Sequence, residues 1–335
     1  MNKRRVRIGF IGAGSIGSLF GGYLADNKSD IYSIEIIFFC MENHANVINK
    51  EGLKLYRNQE IRTVKNIKAY ENEKLIEEKI DHDSNFKFDF VFLTTKAYDI
   101  ESAIFQYKKI LNASKCMVIL QNGIGNEDLA VKYCKKTKII RAVTTNGALL
   151  DKPGHLIHTG KGMTKIGFPF LKDNNLKVTE VEQAKSVLTL LEDILNSAGL
   201  ETIIVEDIIK ESWEKTLVNI GINAIGALTR LTNGEVLKNA ELKYFIEQAI
   251  SEAIMVAEKN NIELSKKNFI AVAYDVLKKT SNNMNSMLQD ILNRKKTEID
   301  FLNGRILKMA ANLDFRVPYN EFLTCLIKSL ENSTI

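Results

Sequence analysis

The chain is 335 residues long, with 45% hydrophobic and 26% charged residues, the make-up of a soluble globular protein with apolar material for two cores. Its 46 basic and 41 acidic residues leave a net charge of +5 spread along the whole length, which suits an anionic small substrate or cofactor. There is no long basic tract or basic-aromatic cluster to suggest nucleic acid, and no apolar run near the roughly 20 residues of a membrane span.

The basic start, Met1-Asn2-Lys3-Arg4-Arg5, could open a signal peptide, but Arg7 interrupts the apolar run and Gly12 follows. Val6 to Phe10 reads as a strand, Gly12-Ala13-Gly14-Ser15-Ile16-Gly17 follows at once, and Ser18 to Asp26 reads as a helix. Three glycines at this spacing mean little alone. After a strand, before a helix and ahead of a second buried strand, they read as a dinucleotide fingerprint. Gly12 permits the tight turn, Gly14 lets the backbone approach a pyrophosphate, and Gly17 lets the helix pack on the strand. The helix N-terminus offers N–H groups and its positive dipole end to the phosphates.

Ile34 to Cys40 reads as a strand buried on both faces. It runs into Met41-Glu42-Asn43, with no arginine or lysine for a 2′-phosphate and with an acidic side chain that would repel one. On residue chemistry this favours NAD. The lysine- and asparagine-rich stretch from Asn66 to Asn85 reads as a surface connection or peripheral helix. Further buried runs, Phe88 to Thr95, Cys116 to Leu120 and Lys138 to Thr144, end in Lys96-Ala97-Tyr98-Asp99, Gln121-Asn122-Gly123-Ile124-Gly125 and Thr145-Asn146-Gly147. Strands alternating with helical stretches predict an α/β, Rossmann-type doubly wound parallel sheet over residues 1–206, with functional loops at the strands' carboxyl ends. His155 and His158 follow Pro153-Gly154 with no cysteine or further histidine nearby, so a loop or strand is read there and no metal site.

From residue 207 onward the texture changes. Ile208 to Leu228, Ala240 to Asn260, Lys266 to Thr280, Thr297 to Leu313 and Asn320 to Leu330 have helical spacing, which predicts an all-helical C-terminal domain over residues 207–335. Lys215, Asn219 and Asn223 recur every four residues and share one face of the first of these helices, a polar stripe in an otherwise apolar segment. A second polar cluster runs from Asn282 through Asn283, Asn285 and Ser286 to Asp290 and reads as a loop; Glu298 follows in Lys296-Thr297-Glu298. Its amides and hydroxyl suit orientation of a polar substrate, with helix capping as the competing explanation. The four cysteines are scattered with no CxxC pair, so a reduced, cytoplasmic protein is expected.

These residues together make the chain resemble the ketopantoate reductase (2-dehydropantoate 2-reductase) family over nearly its whole length. The matching stretches are Ile11 to Gly17, Thr95-Lys96-Ala97-Tyr98, Gln121 to Asn126, Pro153-Gly154-His155, Trp213 to Asn219, Ser286 to Asp290 and Thr297 to Gly304. The resemblance implies a Rossmann domain followed by a helical domain, and hydride transfer from NADPH to the ketone of 2-dehydropantoate. It casts Lys215 as general acid and Glu298 as the carboxylate that positions substrate and lysine. Asn219, Asn223, Asn283 and Ser286 become substrate-binding groups, Asn122 lies where nicotinamide and substrate meet, and Lys96 is a cofactor-side lysine. The cofactor turn comprises Gly12, Ala13, Gly14, Ser15, Ile16 and Gly17. One departure stands out: the family's arginine after the second strand is Met41 here, and the following glycine is Glu42. NADP is thus the cofactor the resemblance implies, and NAD the one these two residues favour. The expected partner is a small 2-keto acid, with the protein a monomer or homodimer. Two other readings stay open: a reductase of another small 2-keto acid, and a dinucleotide-sensing regulator without turnover.

Overall fold

A computed structural model describes residues 3–57, 60–170 and 176–334. The chain divides into two units, one of residues 1–121 and 126–208, the other of Asn122–Gly125 and Ile209–Ile335. Residues 122–125, expected in the first unit, group with the second.

The first unit opens with strand β1 (Arg4–Ile11), helix α1 (Ser15–Ala25), strand β2 (Tyr32–Phe39), helix α2 (Glu42–Glu51) and strands β3 (Leu53–Arg57), β4 (Glu60–Val64) and β5 (Ile67–Tyr70). Helix α3 (Lys74–His82), β6 (Phe88–Leu93), α4 (Ile100–Gln106), α5 (Lys108–Asn112), β7 (Ser114–Ile119), α6 (Asn126–Ala130) and β8 (Ile139–Thr144) follow. The unit closes with β9 (Gly147–Lys152), β10 (His155–Gly160), β11 (Thr164–Gly167), α7 (Val178–Ser197) and β12 (Thr202–Ile204). Eight strands form one sheet in the order β12-β11-β8-β7-β6-β1-β2-β5, parallel except where β11 runs against β8. From β1 the chain builds outward to β2 and β5 on one side, then returns to β6 and builds towards β8 on the other. The switch point, where doubly wound sheets bind ligands, therefore lies at the carboxyl ends of β1 and β6.

Both faces of this sheet are covered, which is why its strands carry unbroken apolar runs. Val6, Ile8 and Phe10 face one core with Phe38, Phe92 and Val118; Ile11, Ile37, Leu93 and Ile119 face another with Ile100 and Ile104 of α4. Phe10 and Phe92 stack at 4.8 Å. The stretch read as a surface connection or peripheral helix supplies helix α3 and, unforeseen, edge strand β5. As a four-residue edge strand, β5 tolerates Lys68, which pairs with Glu35 of β2 at 3.2 Å and hides the strand signal.

A second, four-stranded sheet of order β4-β3-β10-β9 was not foreseen. Its strands are short and half-exposed, so they lack the apolar runs of the large sheet. Pro153 and Gly154 link β9 to β10, and Gly154 has φ +74°. This sheet packs with α1, whose partly buried neighbours include Ala148 and Leu150.

The second unit contains α8 (Ile208–Thr229), α9 (Asn233–Lys238), α10 (Ala240–Lys259), α11 (Phe269–Lys279), α12 (Ser286–Leu292), α13 (Asn303–Ala311) and α14 (Pro318–Thr334). Its core draws on Trp213, Leu217, Ile246, Ile250, Leu288 and Ile306, together with Ile124 from the four-residue segment. Among the described residues no helix is long and apolar enough to cross a membrane.

Candidate functional site

At the end of β1, Gly12 turns the chain with φ +82°, and a Cβ there would lie 2.6 Å from the backbone nitrogen of Thr95. Backbone cannot yield as a flexible side chain can, so glycine is required. The N–H groups of Gly12 and Ala13 both donate to the Phe39 carbonyl, at 2.9 and 3.1 Å, and tie the turn to the end of β2. The Thr94 hydroxyl donates to the Gly12 carbonyl at 3.0 Å and ties it to the end of β6. A Cβ on Gly17 would meet that hydroxyl at 2.5 Å, so close approach of α1 to β6 requires the third glycine.

Gly14 differs. The nearest protein atom to a Cβ built there is 3.9 Å away, so its flank is open. Ser15, Ile16 and Gly17 form the first turn of α1, whose N–H groups have no intrahelical acceptors. An open glycine flank beside a helix N-terminus fits the pyrophosphate of a dinucleotide. At the neighbouring strand end, Met41 is 71% exposed and immediately precedes α2, and Glu42, also exposed, is that helix's first residue.

Lys96 lies just past β6 and is half-buried. Its carbonyl accepts from the Gln121 amide at 3.3 Å, and the same amide donates to the Thr95 hydroxyl at 2.9 Å. The buried Arg141 guanidinium in turn donates to the Gln121 carbonyl at 2.7 Å and the Ile119 carbonyl at 3.3 Å. Gln121 and Arg141 thus fix the end of β7, immediately before Asn122. Neither role is announced by a motif, although Arg141 is the one charged residue inside the six-residue β8.

In the second unit, α8 is buried from Ser212 to Ala227 except at Lys215 and Asn219, which keep partial exposure on the face they share; Asn223, further along, is buried. The Lys215 ammonium donates to Asn122 Oδ1 at 2.8 Å, and Asn122 Nδ2 donates to Glu298 Oε2 at 3.3 Å. One amide therefore joins the ammonium to the carboxylate, with its oxygen facing the cation and its nitrogen the anion. The segment carrying Asn122 is held by its glycines. Gly123 has φ +87° with a Cβ position 2.5 Å from the Phe301 carbonyl oxygen, and Gly125 has φ +84° with one 2.6 Å from the Arg305 guanidinium.

Glu298 is 6% exposed and sits just before a single 3₁₀ turn leading to α13. The surrounding motif anchors it. The Thr297 N–H donates to Glu331 at 2.7 Å, and Asp300 pairs with Lys328 at 2.6 Å. Asn303 donates to the Ile220 carbonyl of α8 at 3.2 Å and to Asn320, which bonds Glu252 of α10 at 2.8 Å. A buried polar network of this kind fixes α8 against the segment bearing Glu298, and hence Lys215 against its carboxylate. Glu252 and Asn320 lay within apolar helical stretches and gave no warning of this.

The segment read as a substrate loop at 282–290 is instead largely helix α12, seven residues long. Asn285 caps it by accepting from the Leu288 N–H at 2.9 Å, and its amide reaches the Ile222 carbonyl at 3.4 Å. Capping, the competing explanation, thus accounts for Asn285. Asn283 joins the Asn233 N–H through its backbone carbonyl, and Ser286 is the exposed first residue of α12. Lys215, Asn122 and Glu298 are brought together; Asn219 and Asn223 share their helix; Asn283 and Ser286 are joined to them by no hydrogen bond described above.

Comparison with known proteins agrees with this organisation. Residues 8–169 match the family described as "Ketopantoate reductase PanE/ApbA", and residues 207–331 match "Ketopantoate reductase PanE/ApbA C terminal". The chain is 35% identical over 327 residues to a 2-dehydropantoate 2-reductase of Pyrococcus abyssi, covering 97% of this chain and 98% of that protein. It is 29% identical to one from Archaeoglobus fulgidus, covering 99% of each. Among solved structures, D-mandelate dehydrogenase with NADH and anilino(oxo)acetate is similar with a TM-score of 0.84 at 25% identity, covering 98% and 99%. A ketopantoate reductase family structure from Ralstonia eutropha has a TM-score of 0.80 at 23% identity, covering 98% and 99%.

Proposed function

The chain belongs to the ketopantoate reductase family, and from that premise we propose that it reduces 2-dehydropantoate to pantoate with Lys215 as general acid. The observation that carries the assignment of roles is the ordered contact of Lys215, Asn122 and Glu298. In the proposed division of labour, residues 1–206 hold the dinucleotide and residues 207–335 the keto acid, with Asn122 joining the latter group.

A reduced nicotinamide, when bound, supplies the hydride. The protein must then meet the charge that develops on the keto oxygen. Lys215 Nζ carries three N–H donors, so it can stabilise that oxygen and transfer a proton to it while its contact with Asn122 keeps it aimed. Glu298, through Asn122, helps hold the ammonium in place. Asn219 and Asn223, on the same helix, supply amides for the substrate's carboxylate and hydroxyl, and Asn283 and Ser286 complete the set implied by resemblance.

For the dinucleotide, Gly12 to Gly17 take the pyrophosphate and Lys96 serves the cofactor side. We propose NADH as the preferred form over the NADPH usual in the family. Met41 provides no cation for a 2′-phosphate, and Glu42 offers a carboxylate suited to a ribose 2′-hydroxyl. The similarity to an NADH-bound D-mandelate dehydrogenase favours the same choice and gives the second reading, a reductase of another 2-keto acid, its support. The cysteines at 40, 116, 134 and 325 are free thiols, in keeping with a reduced, cytoplasmic setting.

Steady-state rates with NADH and NADPH, each against 2-dehydropantoate, pyruvate and 2-oxoisovalerate, test the reading. The expected result is turnover with 2-dehydropantoate and NADH at a kcat/KM well above the other pairs. Equal rates with all three keto acids would remove the substrate assignment, and a higher kcat/KM with NADPH would remove the coenzyme one.

A further inference from the structure

The Pro153-Gly154-His155 stretch and the small sheet have no part in the chemistry above, yet their hydrogen bonds lead to the glycine-rich turn. The Gly154 N–H donates to His44 Nδ1 at 2.9 Å. His44 Nε2 lies 3.0 Å from Ser18 Oγ, and Ser18 Oγ donates to the Ala13 carbonyl at 3.0 Å. Every proton in this chain has one place. A backbone N–H only donates, so Nδ1 accepts and the imidazole proton sits on Nε2. A carbonyl only accepts, so the serine proton points to Ala13 and a serine lone pair receives Nε2–H. His44 is 2% exposed, Ser18 is fully buried, and burial pushes the imidazole down to about 4, which preserves the Nδ1 lone pair at neutral pH.

We propose that His44 and Ser18 are positioning residues for the dinucleotide, relaying the rigid β9–β10 turn to the Ala13 carbonyl and so holding the pyrophosphate turn in shape. A trans peptide is planar, so pinning the Ala13 carbonyl also orients the N–H of Gly14, which donates back to the Gly12 carbonyl at 2.6 Å and closes the turn. A second strut runs alongside: the Leu150 N–H of β9 donates to Ser15 Oγ at 3.1 Å. Gly154 is held against α2, since a Cβ there would lie 2.3 Å from Val47 Cγ1. Neither His44 nor Ser18 need touch the cofactor, and both act through Ala13.

This inference rests on the reading of residues 12–17 as the dinucleotide site, so wild-type binding of NADH and NADPH is measured first, by quenching of protein fluorescence. Failure to bind either strikes that reading itself. With wild-type binding in hand, His44→Leu and Ser18→Ala should each raise the NADH Kd about tenfold, in line with loss of a buried hydrogen bond. The kcat at saturating NADH and the KM for the keto acid should change less than threefold. His44→Gln, which keeps one donor and one acceptor, should recover most of the affinity. The double variant should bind no worse than twofold below the weaker single one, because both break the same relay. Kd values within twofold of wild type in the two single variants would overturn the proposal, as would multiplying effects in the double variant. Equal losses in kcat, keto-acid KM and Kd that track the melting temperature would mark a merely structural role and overturn it too. Ser18→Ala keeps the test decisive should His44→Leu fail to fold.

Discussion

Alanine at Gly123 should disarm the site while leaving the protein folded. A Cβ there stands 2.5 Å from the Phe301 carbonyl oxygen and 2.8 Å from Phe301 Cβ. Reaching an ordinary contact of roughly 3.4 Å requires the segment to move by about 0.9 Å. The neighbouring Asn122 contact with Lys215 is 2.8 Å, and the same movement opens it to about 3.7 Å, beyond hydrogen-bonding range. A hydrogen bond to a charged group contributes about 1.5–3 kcal/mol. If all of it is lost from the transition state, kcat/KM falls by roughly 10- to 150-fold. The positive φ of +87° adds strain of about 1–2 kcal/mol that appears as lower stability. Gly199→Ala is the control: its φ is +82°, but no atom lies within 4 Å of the new Cβ. It should lose only the stability due to that strain and keep full activity. Steady-state kinetics and urea denaturation of both variants give the comparison. If Gly123→Ala stays within threefold of wild-type kcat/KM, the link from segment position to lysine position is wrong.

Three more outcomes follow from the geometry. Lys215→Ala should lower kcat about 10²- to 10⁴-fold with NADH affinity nearly intact, and single-turnover rates check it; unaltered turnover removes Lys215 from the mechanism. Met41→Arg places a guanidinium on an exposed side chain at the end of β2 and should shift the NADPH/NADH ratio of kcat/KM upward by about tenfold; an unchanged ratio places the ribose elsewhere. His44, held near 4 when folded against an ordinary 6.5, leaves stability intact above pH 6.5. Below that the unfolded chain takes up the proton first, and stability falls by up to about 1.4 kcal/mol per pH unit until roughly pH 4. Denaturant midpoints at pH 7 and pH 5 should show this loss in wild type and less of it in His44→Gln; equal losses assign the slope to other groups.

Local signals were legible in the sequence. The β1 turn and α1 could be read because a strand, its glycines and the helix N-terminus lie within one short stretch. Likewise, the four-residue recurrence of Lys215, Asn219 and Asn223 marked a polar face on α8, along which Lys215 and Asn219 keep partial exposure and Asn223 is buried. What escaped was non-local or half-exposed. Asn122 and Glu298 are 176 residues apart, and no periodicity links them. The small sheet shows a burial pattern of partly exposed residues, as in β9, without the alternation that announces a strand. The 282–290 cluster read as a polar loop because a capping amide before a seven-residue helix has the composition of one.

The tetrapeptide from Asn122 to Gly125 belongs to the helical unit while chain on both sides of it belongs to the other. A cut at residue 208 would therefore not yield two self-sufficient modules, because the helical fragment would lack Ile124 from its core. During synthesis those four residues leave the ribosome long before α8 to α14 exist to receive them. The helical unit is finished by a piece of chain made early and kept waiting.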